Sequence, residues 1–94
     1  MLTVNDQLMV LSDILTEQSD ELSGEIAEYE QIKRIVQTLM AKDSIVDEQL
    51  LALLPEIYNY GLQGEQAQNV AEHITTNKSN METWAVCLNK PGLE

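Results

Sequence analysis

Residues 47–60 read DEQLLALLPEIYNY, and the spacing of their apolar side chains decides the fold class. On a helical wheel the apolar positions form two adjacent lines: Val46, Leu50, Leu53, Ile57 and Tyr60 on one, and Leu51, Leu54 and Tyr58 on the other. Together they cover an arc of roughly 180°, wider than the ~100° stripe of a helix that contacts a single neighbour. We therefore expect this segment to be a central helix that neighbouring helices bury from two sides.

The rest of the chain carries narrower apolar stripes with helical spacing, which predicts an all-α fold. A chain of 94 residues, 44% of them hydrophobic, is long enough for one modest core. We expect residues 1–92 to form a single domain, an irregular antiparallel bundle of four to five helices. Leu93 and Glu94 are interpreted as a cloning scar and excluded from the domain.

Two helices are predicted before the central segment, over residues 5–18 and 25–41. The first has an inward stripe of Val4, Leu8, Leu11 and Leu15, and the second has one of Ile26, Tyr29, Ile32, Val36, Leu39 and Met40. Between them, SDELSG at residues 19–24 reads as a turn. Apolar residues off the stripes, namely Met9, Val10 and Ile35, could form a contact between two copies in a homodimer.

A single long helix is the competing interpretation of the same region. Leu8, Leu15, Leu22, Tyr29 and Val36 recur every seven residues, as in a coiled coil. Against this interpretation, Gln18 and Glu25 occupy the remaining seam positions, and Gly24 would cost ~1 kcal/mol inside a helix. The pattern favours the two-helix hairpin and leaves the long helix as the alternative.

Breaking residues set the expected boundaries in the second half. Pro55 predicts a kink in the third helix or its division into two short helices, and Gly61 is expected to end it, with GLQG at residues 61–64 as a loop. A fourth helix is expected over residues 65–76 and a fifth to about Asn89. A polar loop at residues 75–80 separates them, and Ser79 with Glu82 forms a capping box.

Charge is the strongest constraint on the class of partner. The chain has 16 acidic and 5 basic residues, a net charge of −11. Such a field repels phosphate backbones and anionic lipid surfaces, so nucleic-acid and membrane binding are disfavoured and a basic protein partner is favoured. The candidate partner surface is Asp13, Glu17, Asp20, Glu21, Glu25 and Glu28. The simpler interpretation of these residues is a solvated helix face.

Chemistry-bearing residues are few. The acidic segment does not form a calcium loop, because Leu15 and Leu22 stand at would-be ligand positions. With one histidine, His73, and one cysteine, Cys87, no zinc site can be built from these ligands alone. His73 suggests a phosphotransfer helical bundle as an alternative function, although a boundary position on its helix is the simpler interpretation. Cys87 and Trp84 are expected to pack inward.

No metal, cofactor or catalytic constellation is therefore expected. We expect a non-enzymatic protein-interaction or regulatory module with an unidentified protein partner. No run of ~18 apolar residues and no signal peptide occur, and one cysteine suits a reducing compartment, which together predict a cytoplasmic protein.

Several blocks of the sequence are similar to one family. GEIAEYEQIKRIVQTLMA at residues 24–41 and EIYNYGLQG at residues 56–64, followed by His73-Ile74 and Trp84, resemble the YtzH-like family of short proteins from Bacillus-type bacteria. The opening QLMVLSDIL at residues 7–15 is similar too. The resemblance implies a location in the bacterial cytoplasm and no established activity, and it brings no catalytic or binding residues with it.

Overall fold

A computed structural model describes residues 4–42 and 48–88. These residues form four helices: α1 (Val4–Glu21), α2 (Ile26–Lys42), α3 (Glu48–Gln66) and α4 (Val70–Leu88). The all-α prediction is confirmed. The helices pack in the order α1, α2, α3, α4 and back to α1, so that each contacts two neighbours in an elongated body of 36 × 21 × 20 Å. The central helix of the prediction, α3, is thus one corner of a four-helix bundle.

The first two helices form the predicted hairpin. The chain leaves α1 at Leu22, whose backbone is left-handed (φ 51°) and whose N–H donates to the Gln18 carbonyl at 2.8 Å. The Glu25 carbonyl then accepts from the N–H groups of Glu28 and Tyr29 and starts α2. Gly24 lies so close to both helices that a Cβ there would be 2.7 Å from Gln18 Nε2. A single long helix over this region is therefore wrong.

The third helix continues where the sequence predicted its end. It runs unbroken through Pro55, which is exposed, so the division into two short helices is wrong. The loop predicted at residues 61–64 is also helical, and α3 ends at Gln66. Gly61 and Gly64 lie on the face where α2 packs: a Cβ at Gly61 would be 3.2 Å from the Tyr29 carbonyl oxygen. These glycines permit a close approach of α2 and α3. In the sequence alone, a glycine with this role looks the same as a glycine that ends a helix.

The fourth and fifth predicted helices are one helix, α4. Its polar stretch at residues 75–80 is exposed except for the half-buried Asn77, while Ile74, Met81 and Trp84 are buried. The capping box at Ser79 is wrong, because that residue is in the middle of α4. The observed cap is Asn69, whose Oδ1 accepts from the Glu72 N–H at 3.0 Å.

Burial follows the predicted stripes with three corrections. Leu50, Leu54, Ile57 and Tyr60 of α3 are buried, while Leu53 is half-buried and Leu51 is 39% exposed. In α2 the predicted inward residues Ile26 and Met40 are 60% and 49% exposed, because the buried face is centred on Tyr29, Ile32, Val36 and Leu39. The predicted off-stripe residue Ile35 is buried and Val10 packs against the core, which leaves Met9 alone exposed in that set.

Two expectations concern residues outside the described ranges. Val46 of the predicted apolar arc lies in the undescribed segment 43–47, and the interpreted cloning scar lies in the undescribed segment 89–94. Within the described ranges, every helix is too short or too polar to cross a membrane.

Candidate functional site

The residues proposed from sequence as a partner surface lie together at one end of the bundle. This acidic hairpin surface consists of Asp13, Glu17, Asp20 and Glu21 on α1, Glu25 in the turn and Glu28 on α2. All except Glu28 are exposed. Across residues 4–42 and 48–88, the ion pair that forms is Lys33 with Glu65, so no carboxylate of this surface is ion-paired with a described basic side chain. Lys78 of α4 lines a groove together with Asp20 without forming an ion pair.

Glu28 differs from the other members because it takes part in a hydrogen-bond chain that enters the core. The Tyr60 hydroxyl donates to Gln18 Oε1 at 2.6 Å, and Gln18 Nε2 donates to Glu28 Oε1 at 3.0 Å. Gln18 is 1% exposed, and its amide joins α1 to the diagonally opposite helix α3. A buried amide whose donor and acceptor are both used stabilises one particular packing of the helices.

Aromatic rings surround these hydrogen bonds. Together they form a polar cluster of Gln18, Glu28, Tyr29, Tyr60 and His73, whose members are buried or half-buried. The Tyr29 and Tyr60 rings meet edge to face at 5.7 Å. Burial raises the pKa of both phenols, and the proximity of Tyr29 raises the pKa of Tyr60 further. The Tyr29 hydroxyl is buried and makes no hydrogen bond within the described part of the chain. The two phenols therefore remain protonated in the folded state at neutral pH.

His73 is a half-buried boundary residue, as the sequence predicted. Its ring stacks on Tyr60 with a centroid distance of 4.6 Å and an interplanar angle of 16°. Its Nε2 lies 3.1 Å from the Tyr60 carbonyl oxygen and its Nδ1 lies 3.4 Å from Asn77 Nδ2. Each ring nitrogen faces a hydrogen-bonding group of the chain, whereas a phosphoryl acceptor needs an open approach to one of them. This geometry does not favour the phosphotransfer alternative.

The Lys33–Glu65 ion pair joins α2 to the end of α3. Lys33 Nζ lies 2.8 Å from Oε1 and 2.9 Å from Oε2 of Glu65. The hydrogen bond to Glu65 is the main reason that the pKa of Lys33 is raised. The Lys33 stem passes across Gly61, where a Cβ would be 3.0 Å from Lys33 Cγ. The pair is therefore part of the same close α2–α3 contact and is not available to the acidic hairpin surface.

Cys87 and Trp84 are buried, which confirms their predicted packing roles. The Trp84 ring meets Tyr60 edge to face at 5.6 Å. Among the described residues, no group of three or more His, Cys, Asp or Glu side chains is placed to hold a metal ion.

Surface depressions complete the set of possible sites. One depression, about 480 Å³ in volume, is an apolar groove between α3 and α4, lined by Gln49, Ala52, Leu53, Thr83, Val86 and Cys87. We call it the α3–α4 groove. A second groove of about 310 Å³ lies between α1 and α4 and contains Lys78. Sequence reasoning missed the α3–α4 groove, although the excess width of the apolar arc on α3 was a signal for it.

Comparison with known proteins agrees with the resemblance found in the sequence. The sequence model of the YtzH-like protein family matches residues 2–88. The chain belongs to the YtzH-like family. One relative, described as "Uncharacterized protein YtzH" from Bacillus subtilis (strain 168), is 31% identical over 78 residues, which are 83% of this chain and 84% of the relative. No solved structure matches the chain.

Proposed function

We propose that this YtzH-like chain is a non-enzymatic cytoplasmic interaction or regulatory module that binds a basic protein partner through its acidic hairpin surface. The observation that carries the proposal is a set of exposed carboxylates that form no ion pair with a described basic side chain. Asp13, Glu17 and Asp20 are spaced four and three residues apart on α1, so that they project from one side of the helix.

Local electrostatics add support, because part of this surface does not benefit the fold. Asp20 and Glu21 lie in the last turn of α1, which contains no basic residue. The last turn of a helix carries partial negative charge, so carboxylates there are unfavourable by a few tenths of a kcal/mol each at low salt. A lysine- or arginine-rich partner would remove this repulsion on binding. The partner's charge would also accelerate association, an effect that salt screens.

The hairpin presents these charges on a fixed backbone. The turn is held by the Leu22-to-Gln18 backbone hydrogen bond, and the buried Gln18 side chain connects it to α2 and α3. A preorganised surface loses less conformational entropy on binding than a flexible acidic tail does. We therefore expect recognition of a defined basic segment by a preformed surface.

Affinity capture with matched variants tests the proposal. The wild-type chain, Asp20→Asn/Glu21→Gln, and the control Glu30→Gln/Glu72→Gln are immobilised and exposed to bacterial lysate at low and high salt. Both variants remove two exposed carboxylates, but Glu30 and Glu72 lie outside the proposed surface. We expect a basic protein that the wild type and the control retain at low salt, that high salt releases, and that the Asp20/Glu21 variant loses. Equal retention by all three chains, or capture insensitive to salt, would contradict the proposal.

A further inference from the structure

The α3–α4 groove lies between the first half of α3 and the second half of α4, and Val86 at its edge also lines the α1–α4 groove, to which Asp20 of the acidic hairpin surface contributes. Ala52, Leu53, Val86 and Cys87 make its lining apolar, and Gln49 and Thr83 are polar. Val86 is 73% exposed, more than any other large hydrophobic side chain that the structure describes. The groove thus offers apolar surface that water covers at a net cost in free energy.

Carboxylates flank this groove on α3. Glu48 is four residues before Ala52, and Glu56 is four residues after it. Residues four apart are neighbours on a helix surface, and both glutamates are exposed. The α3 edge of the apolar lining therefore lies between two negative charges.

The two glutamates of α3 have no basic neighbour on their own helix. The described range of α3 contains no lysine or arginine, whereas on α4 Lys78 lies beside Glu82 in the groove between α1 and α4. An apolar strip with a negative edge is complementary to a helix that has an apolar stripe bordered by lysine or arginine. The aliphatic stems of those basic residues would cover apolar surface while their charged ends meet the glutamates.

We infer that the α3–α4 groove binds an amphipathic basic helix of a partner protein. Two apolar side chains three or four residues apart on that helix enter the groove against Leu53 and Val86. Lysine or arginine residues beside them pair with Glu48 and Glu56. The inference rests on the interaction function proposed above, and it places the apolar part of recognition on residues of α3 and α4 that are not members of the acidic hairpin surface.

A designed peptide tests the inference while the natural partner is still unidentified. The probe is a fluorescent helix-forming peptide of leucine and lysine, with leucines on one face. A peptide of the same composition with leucines scattered around the helix is the charge-matched control. Binding is measured by anisotropy with the full chain, and the contact site by methyl chemical shifts of Ala52, Leu53 and Val86. We expect saturable binding of the amphipathic peptide, shifts at these three residues, and much weaker binding of the scattered peptide.

Two single substitutions locate the apolar contact. Val86→Asn removes an exposed apolar side chain from the groove without changing charge, and we expect it to weaken binding by about tenfold, the value of burying one aliphatic side chain. Ile26→Asn makes the same kind of change at a residue that is 60% exposed on α2, and we expect it to leave affinity unchanged. Both variants should unfold near the wild-type temperature, because neither residue is in the core.

Other results would overturn the inference and are distinguishable from failure of the proposed function. Equal affinity of wild type and Val86→Asn, with loss of binding in Asp20→Asn/Glu21→Gln, would show that the peptide is held by the acidic hairpin surface alone. A concentration-dependent dimer in sedimentation, absent for Val86→Asn, would assign the groove to a second copy of the chain. Equal binding of both peptides would show that charge alone attracts them.

Discussion

Gly64→Ala provides the sharpest test of the packing between α2 and α3. Alanine is better than glycine in a helix interior by ~1 kcal/mol, so helix propensity alone predicts a more stable protein. In the structure, however, a Cβ at this position would lie 2.6 Å from Cζ of Tyr29 and closer still to Cε1 and Cδ1. Non-bonded carbon atoms prefer about 3.5–4.0 Å, so the overlap is about 1 Å or more.

The Tyr29 ring has no room to relieve this overlap. It is fully buried, and it contacts the edges or faces of Tyr60 and His73 at centroid distances of 5.7 and 5.9 Å. Helices α2 and α3 must therefore move apart. Overpacking of this kind costs ~1–3 kcal/mol or more. After the gain in helix propensity is subtracted, we expect Gly64→Ala to lower the free energy of unfolding by up to about 2 kcal/mol. For a domain of this size, the melting temperature falls by about 4–8 °C per kcal/mol.

Urea unfolding followed by circular dichroism measures the effect, and a double-mutant cycle assigns its cause. In a Tyr29→Leu background the ring is absent, so Gly64→Ala should become neutral or stabilising there. Gly61→Ala is the graded comparison: its Cβ would meet the flexible Lys33 stem at 3.0 Å, so its cost should be smaller. A Gly64→Ala protein more stable than wild type, or an equal cost in both backgrounds, would refute the packing argument.

Three further predictions concern the hydrogen bonds and charges. Tyr60→Phe should cost ~1–3 kcal/mol in urea unfolding, because it leaves buried Gln18 Oε1 without its donor. Burial raises the pKa of Tyr60 above its ordinary 10.0, so the folded state favours the protonated phenol. The free energy of unfolding should therefore fall as the pH rises above about 10, and the fall should be smaller in Tyr60→Phe, which has no phenol to deprotonate at this position. Asn69→Ala should cost ~1 kcal/mol through loss of the α4 cap, with α4 still helical by circular dichroism. Asp20→Asn/Glu21→Gln should raise the melting temperature slightly at low salt and not at high salt.

Periodicity predicted the parts of the fold that depend on neighbours within one helix. The stripe of Leu8, Leu11 and Leu15 is buried, and a turn follows it as predicted, although α1 continues to Glu21 and the turn therefore begins three residues later than expected. Both features depend on spacing along the chain, which is visible in the sequence. The two-sided burial of α3 followed from the width of its apolar arc, and α2 and α4 do cover it from two sides.

The errors occurred where one residue type has two structural uses. Glycine ends a helix when a left-handed residue is needed, and it also permits close contact between helices. At Gly64 the second use applies, and only the position of Tyr29, 35 residues earlier in the chain, reveals it. A polar run likewise forms either a loop or the exposed face of a helix. Residues 75–80 are the exposed face of α4, because Ile74 and Met81 on either side are both buried.

The role of Gln18 could not be predicted for a similar reason. Its position in the apolar seam was visible, and the seven-residue pattern treated it as a defect of a long coiled coil. Its hydrogen-bond partner Tyr60 is 42 residues away and on the diagonally opposite helix. A polar residue in an apolar seam is a signal of a buried hydrogen bond, but the sequence does not identify its partner.

The acidic hairpin surface divides into two parts with opposite effects on stability. Glu25 and Glu28 lie at the beginning of α2, where partial positive charge favours carboxylates, and Glu28 also accepts a hydrogen bond from buried Gln18. Asp20 and Glu21 lie at the end of α1, where the helix field opposes them. The first pair is explained by the fold alone, whereas no described hydrogen bond or ion pair offsets the cost of the second pair. The α1 side of the hairpin is therefore where the proposed basic partner would gain most, and the variants at Asp20 and Glu21 test the part of the surface that the fold does not require.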